Sequence, residues 1–236
     1  ALMTFSIWTQ ISKAVLALIL LTPATYAQEV VTLVYHRFGE DGIPATNIRL
    51  DQFDAQLDHL TRSGAYFPSL QDVVQALKDQ TPLPDKSVLI TVDDAYKSAG
   101  VEAWPRLKAR GIPLTIFVST QAVDDDIAGY LNWDDLRALQ AEGVTLGFHS
   151  HSHAHLAFED MDRVRSDLST GVRRFTEELG MPSPYFAYPY GEFSTALKEE
   201  IRASGFDAAF AQFSSVTGPS SDIFALPRFA INASYG

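Results

Sequence analysis

Short apolar runs alternate with amphipathic segments along most of this chain, and that alternation limits its fold more than any other feature. Val30–Tyr35 and Ser87–Val92 are rich in β-branched residues and mainly apolar, as strands buried on both faces are. Leu114–Val118, Val144–Phe148, Tyr185–Tyr188 and Ala208–Ala211 read as further strands. Between them, helical spacing of Leu50, Phe53, Leu57 and Leu60 predicts one helix, and a second runs from Leu70 to Lys78 before Pro82 and Pro84. Further helices are expected over Ala99–Ala109, Trp133–Ala141, Asp160–Leu179 and Phe193–Ala203. Strands and helices in this order imply an α/β fold with a parallel sheet, either open or closed into a barrel. At 236 residues, with no internal repeat and no linker, the chain fits one domain.

The first residues stand apart from this pattern. Lys13 precedes the apolar run Ala14–Leu21, and Thr25-Tyr26-Ala27 follows it, which reads as a secretory signal peptide over 1–27 with the folded domain over 28–236. The run is short of the roughly 20 residues a bilayer span needs. The expectation is therefore a secreted or periplasmic protein with no stable membrane span once the leader is cut, an uncleaved anchor being the minority reading. Met3 is the expected initiator.

The chain contains no cysteine, which excludes disulfides, thiolate nucleophiles and thiolate metal sites. Any metal must be held by histidine and carboxylate. Removing the leader takes Lys13 and no acid, so 18 basic residues become 17 against 29 acids, a formal net of −12. That charge argues against nucleic acid and anionic lipid as partners.

Parallel α/β proteins carry their chemistry in loops at the C-terminal ends of strands. Two such loops stand out. Thr91-Val92-Asp93-Asp94 ends one strand with adjacent acids; on an extended backbone they point to opposite sides, so one can bind a metal while the other remains free as a base. Either acid alone would more simply cap the next helix. The second loop changes that balance, because His149, His151, His153 and His155 place four of the six histidines in one short run. Pairing of His151 with His153 would need an extended backbone, whereas His149 and His153 meet if the polar segment coils into a turn, as expected after a strand. Two imidazoles and one carboxylate leave a position open to water, as catalytic zinc sites do.

With these residues the chain resembles the polysaccharide deacetylases, which share the NodB homology domain. Their Thr-Phe-Asp-Asp motif is similar to Thr91–Asp94, their His-Ser/Thr-x-x-His motif to His149–His153, and their Arg-x-Pro-Tyr-Gly segment to Ala187–Gly191. The likeness extends from Val31 to Phe229 and includes Tyr35-His36-Arg37-Phe38 and Asn132-Trp133-Asp134. Three ordered motifs together are specific where each alone is weak.

The resemblance implies a distorted (β/α) barrel of about seven repeats and a monomeric hydrolase that removes acetyl groups from an N-acetylglucosamine polysaccharide. It further implies Asp93 as general base, and Asp94, His149 and His153 as ligands of a divalent metal, zinc first with cobalt, nickel or iron as alternatives. The backbone N–H of Tyr190 is assigned to the oxyanion. Relatives acting on poly-β-1,6-N-acetylglucosamine share a histidine on the first strand, which favours a biofilm-type exopolysaccharide over peptidoglycan or chitin-like chains.

Two family residues are missing. Ala187 stands where an arginine usually pairs with the catalytic aspartate, so Arg228 is expected to supply that charge, with Arg37 as the second candidate. No histidine follows His155, so His36 is the expected replacement for a late general acid. These departures keep one rival open, an inactive barrel that binds glycan, and the use of the same fold on other amide C–N bonds keeps a second, a hydrolase of another non-peptide amide. Tyr188, Tyr190, Trp133 and Phe193 offer stacking surfaces for sugar rings, Tyr190 being the favoured one, although aromatics at strand ends more often serve the core.

Overall fold

The computed structural model describes residues 29–40 and 42–234, so the leader expected at 1–27 lies outside the described residues. Nine strands are described: β1 Val30–Tyr35, β2 Arg37–Phe38, β3 Asn47–Ile48, β4 Ser87–Val92, β5 Thr115–Val118, β6 Thr145–Phe148, β7 Tyr185–Ala187, β8 Ala208–Phe210 and β9 Phe229–Ala230. The α-helices are α1 Leu50–Arg62, α2 Leu70–Asp79, α3 Trp104–Ala109, α4 Thr120–Asp124, α5 Trp133–Ala141, α6 Met161–Leu179 and α7 Thr195–Ala203. Seven strands form one sheet in the order β8-β7-β6-β5-β4-β1-β9, all paired in parallel.

The sheet curls until its two edges meet the same short segment. The Leu226 amide donates to Ala209 on β8 and its carbonyl accepts from Ala211, while five residues later the Ile231 amide donates to Val34 on β1. Residues 226–231 thus bridge the two edges and close a distorted barrel, as the resemblance implied.

Strand parity divides the core. Val88, Ile90, Val92, Ile116, Val118, Leu146, Phe148 and Phe186 pack in the large cluster under the helices. Leu89, Phe117, Ala187, Phe210 and Leu226 alternate with them and fill the interior, whose base is plugged by Leu70, Val73 and Val74 of α2. Gly147 has no side chain because Phe117 occupies the space: a Cβ there would lie 2.3 Å from Phe117 Cδ1. Such filling makes the barrel a packed core, leaving chemistry to the rim.

Helix ends follow their sequence signals. Ser69 and Asn132 each close a capping box, with Asp72 and Asp135 respectively, at the starts of α2 and α5. Asn132 therefore serves as a helix cap. Three features departed from expectation. The helix expected over Ala99–Ala109 opens with a π-helical turn, Ala99–Ala103, before α3. The five-residue α4 and the two-residue pair β2–β3 carry no periodic signal long enough to read. No helix among the described residues is long and apolar enough to cross a membrane.

Candidate metal and catalytic centre

Interior parity carries three polar residues past the strand ends into one place. His36 follows β1, Asp93 follows β4 and His149 follows β6, and the Asp93 and His149 amides extend the sheet by bonding to the Tyr35 and Val118 carbonyls. Asp94 is out of phase with Asp93 on an extended chain, and the expectation was that they would face opposite sides. The structure corrects this: Asp94 has φ +71° and Ala95 φ +62°, and this left-handed turn brings both carboxylates to His149. His149 Nε2 lies 3.4 Å from Asp94 Oδ1 and 3.8 Å from Asp93 Oδ2. Neither acid caps a helix.

His153 arrives by a similar device. Residues 149–155 form no helical turn; Ser150 at φ +68° and His153 at φ +53° reverse the chain, and Ser150 Oγ accepts from the His153 amide. Asp167 of α6 fixes the loop from outside by accepting from the amides of His151 and Ser152. His149 and His153 thus meet as expected, through left-handed residues.

Nε2 of His149, Nε2 of His153 and Oδ1 of Asp94 make a plausible ligand set, since the three residues offer ligand atoms within 4.8 Å of one another. Two observations fit a cation. Asp94 Oδ1 is buried and makes no hydrogen bond, although His153 Nε2 is only 3.0 Å away, so these atoms are not aligned to satisfy each other. The Nδ1–H of His149 donates to the Ala187 carbonyl at 2.8 Å, which orients the ring so that Nε2, the lone-pair nitrogen of the neutral ring, faces Asp94. Burial alone would raise the Asp94 carboxyl and lower the His149 imidazole, but the two imidazoles hold Asp94 well below the usual range and the two carboxylates push His149 up. A positive charge is wanted between them.

Arg228 occupies the barrel-closing segment immediately before β9. Its guanidinium donates to both oxygens of Asp93, at 2.7 Å each, and its Nε–H donates to the Ala211 carbonyl. Burial raises the Asp93 carboxyl, yet Arg228, His149 and His36 bring it below its ordinary value, so it is ionised at neutral pH. Arg37, the second candidate, is not that partner: it bonds to Glu40 and stacks 3.4 Å over the Tyr96 ring. His36 lies within electrostatic reach of Asp93, Asp94, His149 and Arg228; burial lowers its pKa, leaving a neutral ring at neutral pH.

Tyr190 sits at φ +60° in the Pro189–Gly191 turn, and its amide donates no hydrogen bond among the described residues. Its half-exposed ring stacks on His155, 3.8 Å between centroids and 9° from parallel, and meets His153 edge-on at 4.7 Å. His155 is held by Glu192 at 2.7 Å. Gly191, at φ +70°, is packed so closely on Gln212 that a Cβ would fall 2.1 Å from the Gln212 Cβ.

Beside Asp94 and His153 opens a cavity of about 300 Å³, walled by Tyr96, Ser119, Tyr130 and His151 among others. Its volume is at the lower end for small-molecule sites. None of the four expected platforms lines it: the Tyr188 ring is buried with its hydroxyl on the Phe224 carbonyl, the Trp133 indole donates to Asp124, and Tyr190 and Phe193 lie outside its walls.

Comparison with known proteins bears on the family and the fold. A sequence profile described as polysaccharide deacetylase matches residues 80–209. The poly-β-1,6-N-acetyl-D-glucosamine N-deacetylase of Staphylococcus aureus strain MRSA252 is 24% identical over 200 residues, covering 79% of this chain and 68% of that protein. Among solved structures, IcaB from Ammonifex degensii superposes with a TM-score of 0.78 at 28% identity, over 87% of this chain and 93% of its own. The Streptococcus pyogenes deacetylase PplD, solved in complex with acetate, shares the fold with a TM-score of 0.80 at 21% identity, over 87% and 93% of the two chains.

Proposed function

This chain belongs to the polysaccharide deacetylase family, and from that premise we propose that it is an exported enzyme that uses a divalent metal to remove acetyl groups from N-acetylglucosamine units of an exopolysaccharide. The observation that carries the proposal is a candidate ligand set, Asp94, His149 and His153, beside an Asp93 carboxyl whose two oxygens are held by Arg228. Sequence likeness to the Staphylococcus aureus enzyme supports the choice of glycan. The apolar run Ala14–Leu21 after Lys13 supports export.

Bound at this triad, the metal would polarise the acetyl carbonyl and acidify water; two imidazoles and a carboxylate suit zinc, with cobalt, nickel or iron as alternatives. The protein's own residues do the rest. Asp93 takes a proton from the attacking water, and Arg228 keeps that carboxylate ionised and oriented. The unengaged Tyr190 amide supplies a donor to the oxygen on which negative charge develops. His36 is the proposed donor to the leaving amine. Its ring rests neutral, so it must first acquire a proton, and it and Asp93 would then relay a single proton from water to amine.

The test is acetate release from β-1,4- and β-1,6-linked N-acetylglucosamine oligomers, by metal-stripped protein with and without added zinc or cobalt, beside Asp93→Asn. Metal-dependent release, faster on the β-1,6 chains and lost in the variant, is the expected result. Absence of release on every oligomer and metal would refute the assignment.

A further inference from the structure

Ten large apolar side chains are exposed among the described residues, and three of them, Tyr190, Phe193 and Phe213, fall on two segments that meet where Gly191 packs on Gln212, with Tyr190 against His153 of the reaction centre. Scattered exposed apolar residues need no explanation, but a cluster at the edge of a site does. Phe193 is 38% and Phe213 45% exposed, with ring centroids 6.4 Å apart.

These rings rest on rigid supports. Phe193 packs at 5.6 Å on Tyr188, itself fully buried and anchored to the Phe224 carbonyl. The Phe213 carbonyl accepts from the Arg228 amide, and the Arg228 side chain bonds two residues back, to Ala211. The same arginine therefore holds both Asp93 and the segment that presents Phe213. The two segments are locked together where Gly191 meets Gln212. Phe193 in turn follows Tyr190 by three residues in the loop that presents the unengaged amide.

Resting on the deacetylase reading, we propose that Phe193 and Phe213 form a shelf that binds an uncharged pyranose ring of the same glycan, next to the unit being deacetylated. The cavity lined by Asp94 and His153 takes the reacting unit; a chain longer than one unit must continue past it, and this shelf lies on the Tyr190 side of the centre. The apolar face of a sugar ring matches a fixed, solvent-facing aromatic surface. Because the shelf touches no reacting atom, it contributes uniform binding and shows in KM for long substrates alone.

The experiment compares wild-type holoenzyme with Phe193→Ala/Phe213→Ala and with the conservative Phe193→Tyr/Phe213→Tyr, on the N-acetylglucosamine monomer and its β-1,6-linked tetramer, alongside calorimetric titration of the tetramer. In the alanine pair, KM for the tetramer rises roughly tenfold, the scale of losing one buried aromatic contact. Turnover and the monomer's kinetics stay unchanged, and the tyrosine pair retains the tetramer preference. Equal effects on monomer and tetramer, or none, overturn the shelf while leaving the deacetylase intact. If wild type releases no acetate, the titration decides: tetramer binding lost in the alanine pair upholds the shelf and sinks the deacetylase reading, whereas unchanged or undetectable binding overturns the shelf.

Discussion

Arg228 and Asp93, 135 residues apart in sequence, form a two-pronged ion pair in which both N···O distances are 2.7 Å and both side chains are buried. The pair joins the fold to the proposed chemistry, because Arg228 lies on the segment that closes the barrel and Asp93, the proposed base, on a strand end at its rim. Removing the arginine leaves a buried carboxylate without its charge partner, which typically costs about 3–5 kcal/mol. Arg228→Ala is expected to lose that much stability in urea titration at neutral pH. Arg228→Lys should be intermediate, since one ammonium cannot reproduce the fork.

The same pair sets a pH dependence. Asp93 must be ionised to act as the proposed base, and Arg228 holds its pKa below the ordinary value, so the part of the acid limb due to Asp93 appears only as pH drops through that lowered pKa. In Arg228→Lys or Arg228→Ala, burial is less opposed, the pKa rises and the acid limb of kcat/KM moves to higher pH. A pH–rate profile with an unmoved acid limb would contradict the assignment of Asp93 as base.

Tyr190 is predicted to act through its backbone. Tyr190→Gly preserves the N–H and suits φ +60°. It should retain most turnover despite losing the ring stacked on His155. Loss of turnover as complete as in Asp93→Asn, measured by initial rates, would show that the side chain is what matters.

Gly147 tests the interior packing. A methyl group there meets Phe117, and overpacking of this kind costs about 1–3 kcal/mol. Gly147→Ala should lower the denaturation midpoint by a corresponding amount, and Gly147→Ala/Phe117→Leu should recover part of it. A destabilisation that Phe117→Leu does not relieve would place the conflict elsewhere.

Asp124 tests a contact away from the centre. It joins α4 to α6 by accepting from Arg174, and it accepts from the Trp133 indole as well. Burial would raise this carboxyl, but Arg174 and Trp133 bring it below its ordinary value. Its contribution is therefore present above the unfolded-state pKa and lost as pH falls through the lower folded one. Asp124→Asn should destabilise at neutral pH and converge with wild type in acid, as read by thermal melts across pH.

Much of this site is legible in sequence because strand parity is. The apolar runs ending in His36, Asp93 and His149 place those residues at the barrel rim, and the cysteine-free composition restricts ligands to histidine and carboxylate. Arg228 was also reachable, since a missing arginine at Ala187 calls for another cation and Arg228 comes on a late apolar segment. The route by which Asp94 and His153 turn inward was not legible. Both adopt left-handed φ values that no glycine marks, and such strain is maintained by surroundings such as the Asp167 clamp. Phe213 was missed for a related reason: its position depends on Arg228 and Gln212, contacts that have no local pattern.

The most direct measurement titrates zinc into metal-stripped protein while following acetate release from a β-1,6-linked N-acetylglucosamine oligomer, with Asp94→Asn and His153→Ala in parallel. Activity should rise from baseline to a plateau at one metal per chain, and both variants should stay at baseline at that zinc level. Full activity in the stripped protein with chelator present, or variants that follow the wild-type curve, would contradict a metal held by Asp94, His149 and His153.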